Sequence, residues 1–433
     1  MEKGTGRIER RTPGAEGTEQ DYEKAYLAKD AGEVTMDREK VIKELEDYEP
    51  YARTFTNLTV KGSVILDALA LLKEQEKRQI ALHKKHVVTW KRNDTFSMRN
   101  LYEAICETLL DEGELVIIDE VQKVPALLDE VHWLMENRGL RFILSGSSAR
   151  KLRRSGANLL GGRALRFTLF PFVSAEIPDF DLHRALNNGM LPRHYLVADP
   201  SKRIQSYIGD YLQQEIVEEA IVRQLDAFTR FLQVAALSNT EIVNYTNIAQ
   251  DCGVSGKTVK EYFSILEETM LGFYLPAYTK VIKRKLIQSP KFYYFDVAIP
   301  NHLLHRRILQ PGTDIYGHAL EHFVIQELRA FISYTYGDDK TMSYWRTLDN
   351  KYEVDVLICD ALTNNVEVAI EVKSADHVVS GDTKGLKAFS EEHPDTKLFL
   401  LSMEERPRML NGIEVWPVTQ FFQRLWGGKV PWV

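Results

Sequence analysis

The chain has 433 residues, too many for one hydrophobic core, and its 44% hydrophobic and 27% charged residues are ordinary for a globular protein of two or three domains. A formal net charge of −7 argues against wholesale coating of nucleic acid but leaves room for a local basic patch. No apolar run is long enough to cross a bilayer, the N-terminus lacks a signal-peptide core, and three scattered cysteines form no metal or redox pair, so a cytoplasmic protein is expected.

Residues 1–50 are polar, charged and without apolar periodicity, and are expected to be disordered. An amphipathic helix is predicted from Val64 to Leu82, with Ile65, Leu66, Leu69, Leu71 and Leu72 on its apolar face. A second, Met98 to Leu110, leads into the strand Leu115–Ile118. That strand is uninterruptedly apolar, as a central parallel strand covered on both faces requires. A helix over 126–136 and a second buried strand, Arg141 to Leu144, follow. The β-α-β alternation predicts a parallel α/β sheet. Residues 51–175 are assigned to this domain, 176–300 to a mainly helical region and 301–433 to an α+β domain.

Four apolar residues followed by Asp119 and Glu120 place two carboxylates at the C-terminal end of a buried strand, where open α/β sheets hold their ligands. The flanks are more specific. Ile118-Asp-Glu-Val-Gln-Lys-Val-Pro-Ala-Leu-Leu-Asp-Glu-Val131, Phe142-Ile-Leu-Ser-Gly-Ser-Ser-Ala-Arg150 and Leu160-Gly-Gly-Arg-Ala164 closely resemble a prokaryotic family of AAA-type ATPases. The likeness continues through Phe170-Pro-Phe172. It implies a P-loop-type sheet with ATP and Mg²⁺ as cofactors, Asp119 as the metal ligand and Glu120 as the catalytic base. It further implies Ser147 as a sensor of the γ-phosphate and Arg163 as an arginine finger. The family's phosphate-binding loop, G-x-x-x-x-G-K-[ST], has no match between Met1 and Gly113. Gly256-Lys-Thr258 is no substitute, because Asp251 stands where the first glycine belongs. Without the loop's N–H groups and lysine to hold phosphates, ATP hydrolysis is expected to be weakened or lost.

Further along, Asn244 to Ala249 reads as a short helix, Asp251-Cys-Gly253 as a turn, and Ser255 to Phe263 as a second helix. Ile248, Ala249, Val254, Val259, Phe263 and Leu266 have the spacing of a small core, leaving Lys257, Thr258, Lys260 and Tyr262 outside it. Lys280, Lys283, Arg284 and Lys285 precede a strand, Lys291-Phe-Tyr-Tyr-Phe295. The pattern predicts a winged helix with a basic wing. It would bind DNA through Lys257, Thr258, Lys260, Lys283, Arg284 and Lys285, or serve as an interdomain packing module.

Near the C-terminus, Glu353 to Leu357 and Glu367 to Lys373 alternate in polarity. Strand parity predicts that Asp355 points with Glu353 and Glu371 with Lys373, while Val354, Val356, Ile370 and Val372 face the other way. Pairing the strands can bring Asp355 beside Glu371 and Lys373, and Glu321 on the preceding helix can add a third carboxylate. Two carboxylates can bind Mg²⁺, and a lysine can orient water for attack on a phosphodiester. This Glu…Asp…Glu-x-Lys order resembles the PD-(D/E)xK nuclease superfamily and the domain of unknown function that accompanies the ATPase family. It implies a restriction-endonuclease-like domain in which Glu321, Asp355, Glu371 and Lys373 are catalytic and Asp355 and Glu371 bind metal. The plain alternative is a charged strand pair in which Lys373 neutralises its neighbours. His318 and His322, four apart, are expected on an ordinary helix surface.

Three readings follow from these features. The first is an AAA-type ATPase relative, ATP- and DNA-associated, with hydrolysis weakened or lost. The second is a Mg²⁺-dependent DNA nuclease, and the third a non-enzymatic DNA- or protein-binding regulator. A homo-oligomer is compatible with each.

Overall fold

The computed structural model describes residues 115–118, 121, 127–146, 164–212, 225–279, 289–306 and 308–429. Outside them lie the polar N-terminal segment, the helices expected at Val64 to Leu82 and Met98 to Leu110, and the residues Asp119, Glu120, Ser147, Arg163, Lys283, Arg284 and Lys285.

The first described unit is the expected β-α-β. Strand β1 (Leu115–Ile118), helix α1 (Leu127–Arg138) and strand β2 (Arg141–Leu144) follow in order, and the strands pair in parallel from Leu115 with Arg141 to Ile118 with Leu144. Val116 and Ile118 pack with Leu127, Leu128, Val131 and Leu134 of α1. Asp119 and Glu120 therefore follow directly from the C-terminal end of a paired strand.

Helix α2 (Leu182–Asn188) opens the next stretch, and helix α3 (Leu225–Leu237) begins a helical unit. Helix α4 (Tyr245–Cys252) is capped by the Asn244 side chain, which accepts from the N–H of Asn247. It ends at Gly253 in the left-handed region, φ 67°, and α5 (Gly256–Glu268) starts with Ser255 accepting from the N–H of Thr258. The Ser-Gly-Lys-Thr run is thus a helix start. The predicted core forms, with Ile248, Val259, Phe263 and Leu266 buried. Tyr262, expected outside it, is 5% exposed and packs edge-on against Phe228 of α3. The wide apolar face of α3 reaches it, which the spacing within α5 alone does not reveal. Strand β3 (Gly272–Leu275) follows and pairs antiparallel with β4 (Lys291–Tyr294), after which comes the short helix α6 (Ala298–Leu303).

The C-terminal region begins with α7 (Asp314–Thr335), capped by Thr313. Strands β5 (Lys340–Arg346), β6 (Glu353–Asp360) and β7 (Val366–Val372) form an antiparallel meander. After α8 (Lys384–Glu392), strand β8 (Lys397–Ser402) pairs parallel to β7. Strands β9 (Arg408–Leu410) and β10 (Ile413–Pro417) and helix α9 (Val418–Trp426) complete a six-stranded sheet of order β5-β6-β7-β8-β10-β9. One face packs on α7 and α9 through Val356, Ile358, Val368, Ile370, Phe323 and Phe421; the other packs on α8 through Val354, Leu357, Ala369, Leu386 and Phe389. Covered on both faces, the central strands are apolar at nearly every position.

One expectation is corrected here. Val354 and Val356 were assigned to a common face, yet they pack in opposite layers. Ser343 pairs with Leu357 and Trp345 with Val354, so β6 holds an extra residue at Asp355–Val356, and such an irregularity reverses strand parity beyond it.

The Phe170-Pro-Phe172 segment docks on α7. Glu327 accepts from Ser174 N–H at 2.6 Å, Ser174 Oγ at 3.0 Å and Trp426 Nε1 at 2.8 Å. Tyr334 Oη accepts from Phe170 N–H at 3.0 Å, and the Arg329 guanidinium lies over the Phe273 ring at 4.0 Å. Gly189, φ 77°, makes a second tie: a Cβ there would lie 2.0 Å from Asp296 Oδ1, whose carboxylate accepts from the N–H groups of Met190, Leu191 and Ala298.

Burial pushes Glu176 from its ordinary 4.5 to about 8, against the Val173 N–H bond and with repulsion from Glu327, while burial pushes Glu327 to about 7. A folded-state pKa above the unfolded value means that stability is complete below the unfolded pKa and is lost as pH rises through 7–8. The melting temperature is expected to fall between about pH 5 and 8 and to level off above, measured by thermal shift, and Glu176→Gln, a fixed neutral mimic, is expected to flatten that fall.

Candidate functional site

The residues with chemical character converge in two adjoining places. At one, α7 contributes Glu321, the start of β6 contributes Glu353 and Asp355, and the end of β7 contributes Glu371, with Lys373 just past the strand. Lys373 Nζ lies 2.5 Å from Glu371 Oε1. The β6–β7 ladder pairs Val356 with Ile370, and beyond that pair the Asp355 carboxylate takes over, its Oδ2 accepting from Val372 N–H at 2.8 Å. The four residues predicted from the sequence are thus gathered in one cluster, largely buried except for Lys373, whose side chain is 36% exposed.

Two more arrive from outside the C-terminal region. Lys291 of β4 extends its ammonium to 3.0 Å from Glu321 Oε1, 2.6 Å from Glu353 Oε1 and 4.0 Å from Asp355 Oδ1, with a side chain only 5% exposed. Tyr293, two residues on and so on the same face of the strand, donates its hydroxyl to Glu321 Oε1 at 2.7 Å. Sequence reading missed both. A lysine at the head of an aromatic strand is a weak signal, and its partners lie 30 to 64 positions away.

The electrostatics follow from burial. Desolvation alone would lower Lys291, but Glu321, Tyr293, Asp355 and Glu353 overrule it and hold the group well above its usual value. Burial pushes Glu321 up to about 7 against the pull of Lys291, and burial with the nearby Asp355 charge pushes Glu371 well above the carboxylate range. Lys373 is likewise held up by Glu371 and Asp355 against burial.

Mg²⁺ prefers oxygens at roughly 2.0–2.1 Å in octahedral geometry. Here Lys291 engages Glu321 and Glu353, Val372 N–H engages Asp355, and Lys373 engages Glu371. Glu371 Oε2 is buried with no hydrogen-bond partner and so is one available donor. Among the described residues no group of three or more His, Cys, Asp or Glu side chains is arranged to hold a metal ion. The set Glu321, Asp355 and Glu371 does not fit a divalent cation in this arrangement.

The second place is a groove of about 820 Å³ at the N-terminus of α5. Asn244, Tyr245 and Thr246 line it from the start of α4, Gly256, Lys257 and Lys260 from α5, and Ile242, Val243, Ser289 and Arg346 complete it. Its charged lining residues are all cationic, and no carboxylate lines it among the described residues. Lys260 Nζ sits 5.2 Å from the centre of the Tyr245 ring, and Arg346 Nε lies 3.6 Å from Glu353 Oε2. Glu353 therefore links the two places through Arg346 without lining the groove. Thr258 is not among the lining residues; its hydroxyl is 2.8 Å from Ser255 Oγ at the helix cap. Arg346 was not foreseen, since it comes from a strand remote in sequence.

The histidines also require correction. His322 is fully buried, where an ordinary helix surface was expected. Its Nε2 bonds Tyr294 O at 2.7 Å and its Nδ1 lies 3.2 Å from Asn239 Nδ2. Burial holds it down at about 4, so the ring is neutral, donating from Nε2 and accepting at Nδ1. His318 stays 43% exposed, 2.7 Å from Thr240 Oγ1. Both clamp α7 to the helical unit.

The comparisons with known proteins divide the chain in three. An AAA domain profile matches residues 37–177, a domain of unknown function (DUF8612) matches 179–308, and another (DUF4143) matches 316–421. Uncharacterized proteins of Mycobacterium bovis and Mycobacterium tuberculosis are each 22% identical over 251 residues, which is 56% of this chain and 56% of each relative. The chain thus matches about half the length of these curated relatives. An AAA-domain match followed by this C-terminal match is the arrangement of an AAA-type ATPase-like protein with a C-terminal domain of unknown function.

A Cβ on Gly385, in the first turn of α8, would lie 2.1 Å from Glu353 O and 3.5 Å from Glu371 Oε2. Gly385→Ala is expected to push α8 off the charge cluster and cost roughly 1–3 kcal/mol, read by denaturant unfolding.

Proposed function

We propose that this chain is an AAA-type ATPase-related, DNA-associated protein that docks on duplex DNA through its helix-turn-helix unit, with ATP hydrolysis weakened or lost. The groove carries the DNA reading. Lys257, Lys260 and Arg346 line it with three cations and no carboxylate among the described lining residues, only Arg346 being paired, with Glu353 behind the lining, although the whole chain carries −7. The first turn of α5, the positive end of a helix dipole, opens into the same space. Asn244 and Thr246 add hydrogen-bonding groups, and Ser289, four positions after the basic run of Lys283, Arg284 and Lys285 in sequence, lines the groove. The order α4, α5, β3, β4 supports a winged-helix reading of this unit.

For the nucleotide, AAA domains bind ATP with Mg²⁺ in general, and Asp119, Glu120, Ser147 and Arg163 keep the roles the resemblance gives them. The profile match reaches upstream to residue 37, yet that span holds no G-x-x-x-x-G-K-[ST]. The lost grip on the phosphates supports weakened hydrolysis.

A second reading, Mg²⁺-dependent cleavage of DNA, draws on the gathering of Asp355, Glu371 and Lys373 but requires the carboxylates to give up Lys291 and Lys373 to the metal. The order α7, β5–β7, α8, β8 supports a restriction-endonuclease-like fold for this region. Plasmid nicking with Mg²⁺ or Mn²⁺ that Asp355→Ala abolishes would establish cleavage.

Fluorescence anisotropy with a short DNA duplex tests the leading reading. Lys257→Ala/Lys260→Ala is expected to weaken binding at least about tenfold and to lower the salt slope by about 2, since each phosphate contact contributes roughly 0.9. Arg346→Ala is expected to act in the same direction. Wild-type affinity in the double variant would overturn the docking site. In a thermal-shift titration Mg·ATP is expected to produce little stabilisation; a saturable shift lost in Asp119→Ala would show that another loop holds the phosphates.

A further inference from the structure

We infer that Lys291 is a tethered cation: its ammonium stands in the C-terminal carboxylate cluster in place of a divalent metal ion, so that the cluster fastens β4 to the C-terminal sheet. Its geometry is that of a bound cation. Nζ lies 2.6 Å from Glu353, 3.0 Å from Glu321 and 4.0 Å from Asp355, carboxylates on two different elements, α7 and β6. The Tyr344 ring covers it at 5.7 Å, and Tyr293 secures Glu321 at the same oxygen that Lys291 contacts. An ammonium at such distances takes up the lone pairs that a divalent ion would need and repels that ion from the remaining oxygens.

What remains for a metal is small. Asp355 Oδ2 completes the strand ladder at Val372 N–H and Glu371 Oε1 holds Lys373, which leaves Glu371 Oε2 as the buried oxygen without a hydrogen-bond partner. A bound ion can also leave a protein, whereas Lys291 is fixed by the β3–β4 ladder, where it pairs with Leu275. The cation is therefore always present, and so is the attachment it makes. The groove also gains from it. Glu353 takes Lys291 on one oxygen and faces Arg346 on the other, which orients the groove's third cation. Lys291 itself does not line the groove, so this inference and the DNA reading can fail separately.

Mn²⁺ binding to the metal-stripped full chain, without nucleotide, tests the inference by titration calorimetry or by electron paramagnetic resonance of free Mn²⁺. Wild type and Asp355→Asn, which keeps an acceptor for Val372 N–H, are expected to bind Mn²⁺ equally. Lys291→Ala empties the cation position and is expected to gain one Mn²⁺ site at least tenfold tighter than any in wild type, lost again in Lys291→Ala/Asp355→Asn. Mn²⁺ is also expected to raise the melting temperature of Lys291→Ala but not that of wild type. A wild-type site lost in Asp355→Asn would overturn the inference, and so would a folded Lys291→Ala that gains no site. If Lys291→Ala does not fold, the comparison of wild type with Asp355→Asn decides alone.

Discussion

The ion contacts of Lys291 depend on a strand that serves two cores at once. In β4 the residues alternate strictly: Phe292 and Tyr294 fill the core of the helical unit, while Lys291 and Tyr293 reach Glu321 on α7. A four-residue strand cannot bury one face in each of two units unless those units are held at a fixed separation. Much of the surrounding structure meets that requirement. His322 takes the Tyr294 carbonyl from α7, and Asn239 takes the Tyr294 N–H from the end of α3. The helical unit and the C-terminal sheet are thereby joined through backbone and side chain together.

Buried ion pairs are poor sources of net stability, because desolvation consumes most of the Coulomb attraction. They are effective at rejecting alternatives, since any displacement of β4 leaves an ammonium or several carboxylates unpaired in an apolar setting. The charge cluster is therefore better understood as a device for register and orientation. Apolar packing, from Phe323, Val356, Ile370 and Phe421 on one side of the sheet and Leu386 and Phe389 on the other, supplies the bulk of the favourable free energy. The cluster decides which arrangement that packing adopts.

Charge is also partitioned in space. A chain of net −7 concentrates carboxylates behind Lys291 and leaves a groove of cationic lining beside α5, with Glu353 at the boundary between them. The buried carboxylates are screened from the groove by the ammonium they surround. A basic surface and an acidic interior can thus lie within one side-chain length of each other, and the sign of the net charge is a weak guide to what this surface attracts.

Local pattern alone determined the strands and helices whose signal lies within a few residues. The apolar runs Leu115–Ile118 and Arg141–Leu144 pair as parallel strands, and Asn244, Gly253 and Ser255 place the helix-turn-helix boundaries because capping is a property of two or three adjacent residues. The Glu-x-Lys spacing placed Glu371 and Lys373 on one strand and brought Asp355 to them. Sequence could not show the irregularity at Asp355–Val356 that separates Val354 from Val356, because it arises from the match with β5. Nor could it show that Tyr262 and His322 are buried, since the surfaces covering them belong to α3 and to the β3–β4 unit. Lys291 and Arg346 are the plainest cases. Each is an isolated basic residue in a local window, and each acquires its role from charges on distant elements that only the folded chain brings within a few ångströms. Periodicity and capping act over one turn, whereas electrostatic partnership depends on distance in space, and that is set by the tertiary fold.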